Sequence, residues 1–393
     1  MIIFGNRGHY SAIGGVENSL RGMLNVVSER QQQATLVCRE PLINESLDIA
    51  SLDLGSGIDL VLYRDEFNQN PFKRLLSLRH GGKALLKAYC NVYARFPDAI
   101  LIVRHHMHVL AAARAGFRDI RYLVPSLTTN QLRQELSGTP YSRKLTILLH
   151  MLVDGWLQSR ALTMAQLFVF SESMQRQVRH GLRGPFKDNP IKLVRPGIDS
   201  LRFMPATDRK KQQLRVQLGL PLGKKLFLFV GRFVQAKGLD YLIDAFGRLS
   251  PEYSLVFVGE GEREPSIRDS IRTLGLGDRV FIVGRTSKVE DFYRACDVFV
   301  MSSIYEPLGQ TILEAAACGI RIAAYGPNSG VDTATHELGL DGIIDYANEL
   351  DGESLAISMM KAMEAQIEKG PAYNSKFSTS SNSWATLLDR LTE

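Results

Sequence analysis

Short apolar runs rich in β-branched and aromatic residues recur along the chain, several of them followed by a glycine-bearing loop, and alternate with stretches whose apolar positions return every three or four residues. In the first half the runs are Met1–Phe4, 34–38, 58–63, 99–103, 121–124, 167–170 and 191–194; in the second they are 225–230, 254–258, 279–283, 298–301 and 320–324. Unbroken rather than alternating apolar runs predict strands covered on both faces, which is the signature of parallel sheets with helices between the strands. The helical stretches are plainest at 16–27, with Val16, Leu20, Met23, Leu24 and Val27 on one face, and at 239–249. The pattern therefore predicts an α/β chain with two parallel-sheet domains.

A break separates the two series. Arg195-Pro196-Gly197-Ile198-Asp199 ends one strand, and Pro205 with a charged stretch precedes the next. We place the boundary there, giving domains of 1–195 and 196–375, a polar linker at 375–383 and a short helix at 384–391. At 393 residues the chain is long enough for two cores. The charge is divided unevenly: residues 1–195 carry 25 Lys and Arg against 15 Asp and Glu, +10, whereas the remainder carries 22 against 26, −4. Cys38, Cys90, Cys296 and Cys318 have no paired spacing, which argues against a zinc site or a disulfide framework. No apolar run reaches 18 residues, and Met1-Ile2-Ile3-Phe4 meets Gly5 and Arg7 too early for a signal peptide, so the expected location is the cytoplasm.

The most informative stretch is Tyr305-Glu306-Pro307-Leu308-Gly309-Gln310-Thr311-Ile312-Leu313-Glu314, followed by an alanine-rich run to Gly319. Strand, loop and helix follow in that order. Gly309 allows close approach of a ligand, and the amides of Gly309, Gln310 and Thr311 would face phosphate at a helix N-terminus. Two carboxylates beside a phosphate site point to something polyhydroxylated, since a carboxylate accepts hydrogen bonds from vicinal hydroxyls. Read singly, Glu306 is an exposed loop acid and Glu314 a helix-surface acid. Their spacing in this context favours the ligand.

Glu306-x-Leu308-Gly309, Glu314-Ala315 and Ala317-x-Gly319 resemble the Glu-x-Phe-Gly-x4-Glu signature of the retaining nucleotide-sugar glycosyltransferases of family 4. Leu308 stands where that family usually has Phe, and Arg321 where a Pro commonly follows the helix. Gly231-Arg232 and Lys237-Gly238 resemble the family's Gly-Arg-x4-Lys-Gly motif, and Gly14-Gly15 before Val16-Glu17 its N-terminal Gly-Gly loop. The resemblance implies the GT-B fold, two Rossmann-like domains facing each other across a cleft, with the helix at 384–391 crossing back onto the first. It implies that Glu306 contacts the donor sugar, Glu314 holds the ribose hydroxyls, Arg232 and Lys237 neutralise the leaving diphosphate, Gly15 faces the donor phosphates, and the Gly284-Arg285-Thr286 loop cups the nucleobase. Leu308, Gly309, Gln310 and Thr311 complete the donor site. The implied activity is transfer of a hexose-type sugar, with retention, from a UDP-, GDP- or ADP-sugar to a hydroxyl of a glycan or lipid-linked acceptor, as in surface polysaccharide or lipopolysaccharide synthesis. No Asp-x-Asp pair is present to hold a divalent ion, so no metal and no cofactor are expected. Two other classes compete: a nucleotide-sugar epimerase on the same fold, and a non-catalytic binder of anionic surfaces.

Three stretches of the first domain stay open. Between Lys73 and Arg121 lie ten Lys and Arg and two acids, on a helix that also carries Leu75, Leu85, Tyr89, Val92 and Phe96. Such a helix either covers a sheet with a solvated basic face or lies on an anionic membrane; the resemblance favours peripheral membrane contact through 72–96, on the inner face of the cell membrane, and no nucleic acid partner. The run from Leu145 to Leu162 is apolar nearly all round and reads as core or domain-interface packing. Finally, Arg104-His105-His106-Met107-His108 follows a strand. Three crowded histidines without a carboxylate make a poor metal site, so His106 or His108 is assigned to the acceptor side.

Overall fold

A computed structural model of the chain describes residues 1–8, 15–40, 55–64, 71–130, 141–182, 186–340, 342–365 and 382–393, without the side chains of 71–81, 141–143 and 146. It divides into two units, Met1–Gly197 with Trp384–Glu393, and Ile198–Ser383.

The first unit holds a seven-stranded sheet of β1 (Ile2–Asn6), β2 (Ala34–Arg39), β3 (Ile58–Tyr63), β4 (Ile100–Val103), β5 (Ile120–Leu123), β6 (Gln166–Val169) and β7 (Ile191–Leu193). Every pairing is parallel, in the order β3-β2-β1-β4-β5-β6-β7. The order reverses between β1 and β4, so the loops leaving these two strands part to opposite faces and open a crevice at their carboxyl ends. Helices α1 (Gly15–Glu29), α2 (Pro71–Arg95), α3 (His106–Ala115), α4 (Tyr141–Leu162) and α5 (Glu172–Gly181) surround the sheet. Ser171, which follows β6, caps α5: its Oγ accepts from the Met174 amide at 3.1 Å.

Two helices depart from the sequence reading. The described half of α2 buries Leu85, Ala88, Tyr89 and Val92 in the core with Ile3, Val103, Val109 and Phe117. Over this half the apolar stripe is thus occupied by the protein rather than offered to a membrane; the rest of the 72–96 segment, with the side chains of 72–81, lies outside the described residues. The helix read as packed, α4, does the opposite. Leu145, Leu148, Leu149, Leu152 and Trp156 share one face at helical spacing and are exposed, Leu145 by 76%, Leu152 by 71% and Trp156 by 62%. Burial is supplied from the other side, where Gln158 donates to the Ser126 carbonyl at 2.9 Å and Ala161 and Leu162 enter the core. An all-round apolar pattern cannot say which face meets the sheet.

The second unit repeats the plan. Its sheet contains β8 (Lys225–Val230), β9 (Tyr253–Val258), β10 (Val280–Val283), β11 (Val298–Met301), β13 (Arg321–Tyr325) and β15 (Ile344–Ala347), all parallel, in the order β10-β9-β8-β11-β13-β15. A separate two-stranded pair, β12 (Tyr305–Glu306) with β14 (Asp332–Thr333), lies outside it. Helices α6 (Asp208–Gln217), α7 (Leu239–Gly247), α8 (Glu264–Thr273), α9 (Val289–Ala295), α10 (Gln310–Ala317) and α11 (Gly352–Glu364) cover the faces. Two apolar clusters form, one around Phe227, Phe229, Phe246 and Phe257, the other around Phe292, Tyr293, Phe299 and Ile312. Strand β15 and helix α11 had no counterpart in the sequence reading.

Residues 384–393 belong to the first unit. Helix α12 (Trp384–Thr392) lies on α1, with Arg30 Nη1 on Asp389 Oδ1 at 2.5 Å and Nη2 on Oδ2 at 3.0 Å. A Cβ added at Gly22 would sit 2.4 Å from the Trp384 ring, so glycine makes room for the indole.

Candidate functional site

The loops at the carboxyl ends of β8 and β11 meet in the second unit, again where the strand order reverses. After β8 the chain turns through a 3-10 segment, Gln235–Lys237, into Gly238, which adopts φ 61° and ψ 34°. A Cβ at Gly238 would lie 2.1 Å from the Ser302 carbonyl oxygen, so only glycine brings this loop against the one after β11. Ser302 fixes the contact by donating from Oγ to the Lys237 carbonyl at 2.8 Å. The amide of Ile304 adds a second tie, to the Ala236 carbonyl at 2.9 Å.

This approach carries Lys237 to Glu306. The lysine Nζ donates to Glu306 Oε2, and both side chains are only 15% exposed. Glu306 Oε1 accepts from the Gly309 amide at 3.2 Å. Burial alone would raise the Glu306 carboxyl, but Lys237 and the amides of Gly309 and Leu308 together hold it below the ordinary carboxylate value. Gly309 is the N-cap of α10 in the left-handed region, φ 71°, and no side chain caps this helix end. Lysine, carboxylate and helix N-terminus thus meet at one place, the lysine arriving from 69 residues away.

Glu314, one turn further along α10, is not a surface residue: it is 4% exposed and Tyr293 donates to its Oε2 at 3.0 Å. Burial pushes its carboxyl up to about 7, opposed by the Tyr293 hydrogen bond and the Arg202 charge and reinforced by Glu290. Arg202 is itself held, donating from Nε and Nη2 to Glu290 Oε2 at 2.9 and 2.7 Å. Tyr293 and Arg202 were not singled out from the sequence, where neither lies near a glycine loop motif.

The remaining expected residues are placed as follows. Arg232 is exposed in the loop after β8 and makes no ion pair among the described residues. Arg285, exposed after β10, has Nε 3.3 Å from Glu260 Oε1. Thr286 Oγ1 accepts from the Lys288 amide at 3.1 Å. Leu308 and Gln310 are buried, and the half-buried Thr311 directs Oγ1 toward Met301 Sδ at 3.9 Å. Gly15 opens α1 in the first unit, with no atom within 4 Å of the Cβ position; its neighbour Gly14 lies outside the described residues.

The first unit also holds the histidines. His105 caps α3, its Nδ1 accepting from the Met107 amide at 3.2 Å, and its Nε2 is 3.1 Å from Arg7 Nη1. His108 is a core residue between the hydroxyls of Tyr89, 2.8 Å from Nδ1, and Tyr63, 3.2 Å from Nε2. That geometry removes it from the two acceptor-side candidates. His106 is 3% exposed, stacks on His105 at 4.2 Å, and its Nε2 has no partner among the described residues. Burial first, then the Arg7 charge, lowers His106 to about 3, so its ring is neutral at physiological pH.

Known proteins resemble this chain in sequence and in fold. Residues 210–370 fit the family model described as "Glycosyl transferases group 1", so the second unit is a domain of that kind. Mannosylfructose-phosphate synthase of Agrobacterium fabrum is 35% identical over 191 residues, 44% of this chain and 40% of that protein. The lipopolysaccharide core biosynthesis mannosyltransferase LpsB of Rhizobium meliloti is 30% identical over 178 residues, 43% of this chain and 50% of LpsB. The alignments thus span at most about half the length of these relatives. Over the whole chain the fold matches the Anabaena protein Alr3699/HepE, crystallised with UDP-glucose, with TM-score 0.70 and 17% identity over 100% of this chain and 98% of that one. The architecture is GT-B.

Proposed function

We propose that this chain, a GT-B protein whose second unit is a group 1 glycosyl transferase domain, moves a hexose-type sugar from a nucleotide diphosphate sugar to a hydroxyl of a glycan or lipid-linked acceptor. The observation that carries the reading is the Lys237–Glu306 pair at the uncapped N-terminus of α10. A lysine held by a carboxylate is a cation kept in place for an anion. When a diphosphate binds, Lys237 exchanges Glu306 for phosphate oxygens, and Glu306 is released toward the sugar hydroxyls. Arg232, on the same loop and unpaired among the described residues, adds a second cation.

Breaking the sugar–phosphate bond builds negative charge on the leaving diphosphate. Lys237, Arg232 and the amides at the start of α10 would stabilise it, which lowers the barrier because they are already in position. The sequence lacks an Asp-x-Asp pair and supplies cations here, so we propose transfer without a divalent ion. Retention follows from the family resemblance alone. The route we propose is displacement on one face of the sugar, the leaving phosphate accepting the proton of the attacking hydroxyl. Glu314 would take the ribose hydroxyls, the loop at Arg285 and Thr286 the base, and His106 the acceptor. Relatives named for lipopolysaccharide core synthesis favour a surface-glycan acceptor.

We assign membrane contact to α4. Its sequence carries Arg143, Lys144 and Arg160 against Asp154, placing cations at both ends of the free apolar stripe, and Arg160 lies 5.9 Å over the Trp156 ring. A helix with apolar residues between cations suits an anionic lipid surface, with the indole at the headgroup level. Among the described residues no helix is long and apolar enough to cross a membrane.

The test is nucleotide release from UDP-, GDP- and ADP-sugars with and without a glycan acceptor, in chelator, with the product anomer read by NMR. Acceptor-dependent release with retention supports the reading. An epimerised sugar formed without acceptor would replace it with the epimerase.

A further inference from the structure

Several acids of the second unit are held by cations: Glu306 by Lys237, Glu290 by Arg202, and Asp297 by Lys211 and Arg215. Glu314, buried in α10, forms no ion pair among the described residues. The Arg202 charge reaches it, but that guanidinium is bound to Glu290. Its Oε2 accepts from Tyr293 at 3.0 Å, while Oε1 makes no hydrogen bond among the described residues and is not sealed from solvent. A buried carboxyl group with an idle acceptor is unfavourable unless a further donor completes it.

Tyr293 is itself fixed. It has no exposed surface, and its ring lies edge-on to Phe203 at 6.0 Å between centres and tilted against Phe299 at 5.6 Å. The segment that carries Phe203 is lashed to α9, because Arg294 Nε donates to the Met204 carbonyl at 3.2 Å and Arg202 Nε to Glu290 at 2.9 Å. The phenol therefore stays on Glu314. Glu314 follows Gly309 by five residues, about 7.5 Å along the helix axis, a span like that from a nucleotide's phosphates to its ribose hydroxyls.

We propose that Tyr293 is a positioning residue for the donor: by occupying Oε2 it fixes the Glu314 side chain so that Oε1 accepts from a ribose hydroxyl, which makes the site selective for ribonucleotides over their deoxy forms. This rests on the donor reading above. Selectivity arises because a nucleotide lacking that hydroxyl leaves Oε1 idle in a buried place.

The test is calorimetric titration of the full chain with UDP, GDP and ADP and with the 2′-deoxy and 3′-deoxy form of each. We expect loss of one of the two hydroxyls to weaken the tightest nucleotide by about tenfold or more in wild type, and Tyr293→Phe to reduce that preference several-fold. A purely structural tyrosine would weaken the ribose and deoxy forms alike, so an unchanged preference in Tyr293→Phe overturns the proposal and leaves the donor reading standing. Should Tyr293→Phe fail to fold, a crystal structure of wild type with its tightest nucleotide decides. Glu314 Oε1 on a ribose hydroxyl with Tyr293 still on Oε2 is the result expected, and a Tyr293–Glu314 bond broken in the complex would overturn it. Wild type that binds none of the three nucleotides would remove the donor reading, and the role of Tyr293 with it.

Discussion

Tyr293 and Glu314, 21 residues apart and both buried, are joined by a hydrogen bond of 3.0 Å from the phenol to the carboxyl. The bond ties α9 to α10, the helix whose N-terminus lies beside Lys237. Burial sets the protonation of this acid, which stands where the ribose is expected, raising it to about 7 against the opposing pull of the Tyr293 bond.

A pH dependence of stability follows. Glu314 is raised from an ordinary value of 4.5 to about 7, so the folded chain keeps a proton that the unfolded chain releases. Stability therefore falls as pH rises between these two values and is level above about 7, by at most roughly 3 kcal/mol. Glu314→Gln should remove this component. Urea denaturation of both proteins at several pH values between 4.5 and 8 measures the difference, and parallel curves would contradict the assignment.

Lys237 and Glu306 should separate fold from function. Lys237→Ala leaves a mostly buried carboxylate without its cation, which costs about 3 kcal/mol or more and removes charge stabilisation from the leaving group. Glu306→Gln keeps an acceptor for Lys237 but removes its counter-charge, and should lower the melting midpoint by less than Lys237→Ala does. In both variants turnover should fall by about a hundredfold or more. Single-turnover rates alongside thermal melts check this, and a Glu306→Gln protein with unchanged turnover would displace Glu306 from the chemistry.

Gly238 is a backbone requirement. Alanine there meets the Ser302 carbonyl and a left-handed φ, so the loop bearing Lys237 must withdraw from β11. We expect Gly238→Ala to lose at least about 1–3 kcal/mol and to weaken nucleotide binding. Equilibrium unfolding and UDP titration read the two effects separately.

The apolar face of α4 can be tested without touching the core. Leu152→Glu with Trp156→Glu should leave the melting midpoint unchanged, since both side chains are exposed, and should reduce co-sedimentation with phosphatidylglycerol vesicles several-fold. Added salt should weaken wild-type binding as well. Equal sedimentation of variant and wild type would remove α4 from the membrane assignment.

Much of the architecture was legible because it depends on local pattern. Unbroken short apolar runs rich in β-branched residues, such as Val298–Met301, read as strands covered on both faces, and Pro196-Gly197 marks the break where one sheet gives way to the next. The order of strand, loop and helix around Gly309 is likewise written in neighbouring residues. Arg104 stood in plain view beside three histidines, yet an arginine at a strand end looks like any solvated cation until its burial is known.

The sequence by itself determined the parallel α/β plan, the position of the break and the loops that carry glycine and charge, because periodicity and backbone conformation are short-range properties. Only the tertiary structure decided that Lys237 meets Glu306 across 69 residues, that Tyr293 holds Glu314, that the described half of α2 spends its apolar stripe in the core while α4 leaves its own uncovered, and that Arg104 is buried against Ser19. These are matters of which face turns inward and which distant side chain arrives beside it. A one-dimensional pattern records polarity but not facing, and the energy of a charge is fixed by the surroundings that folding brings to it.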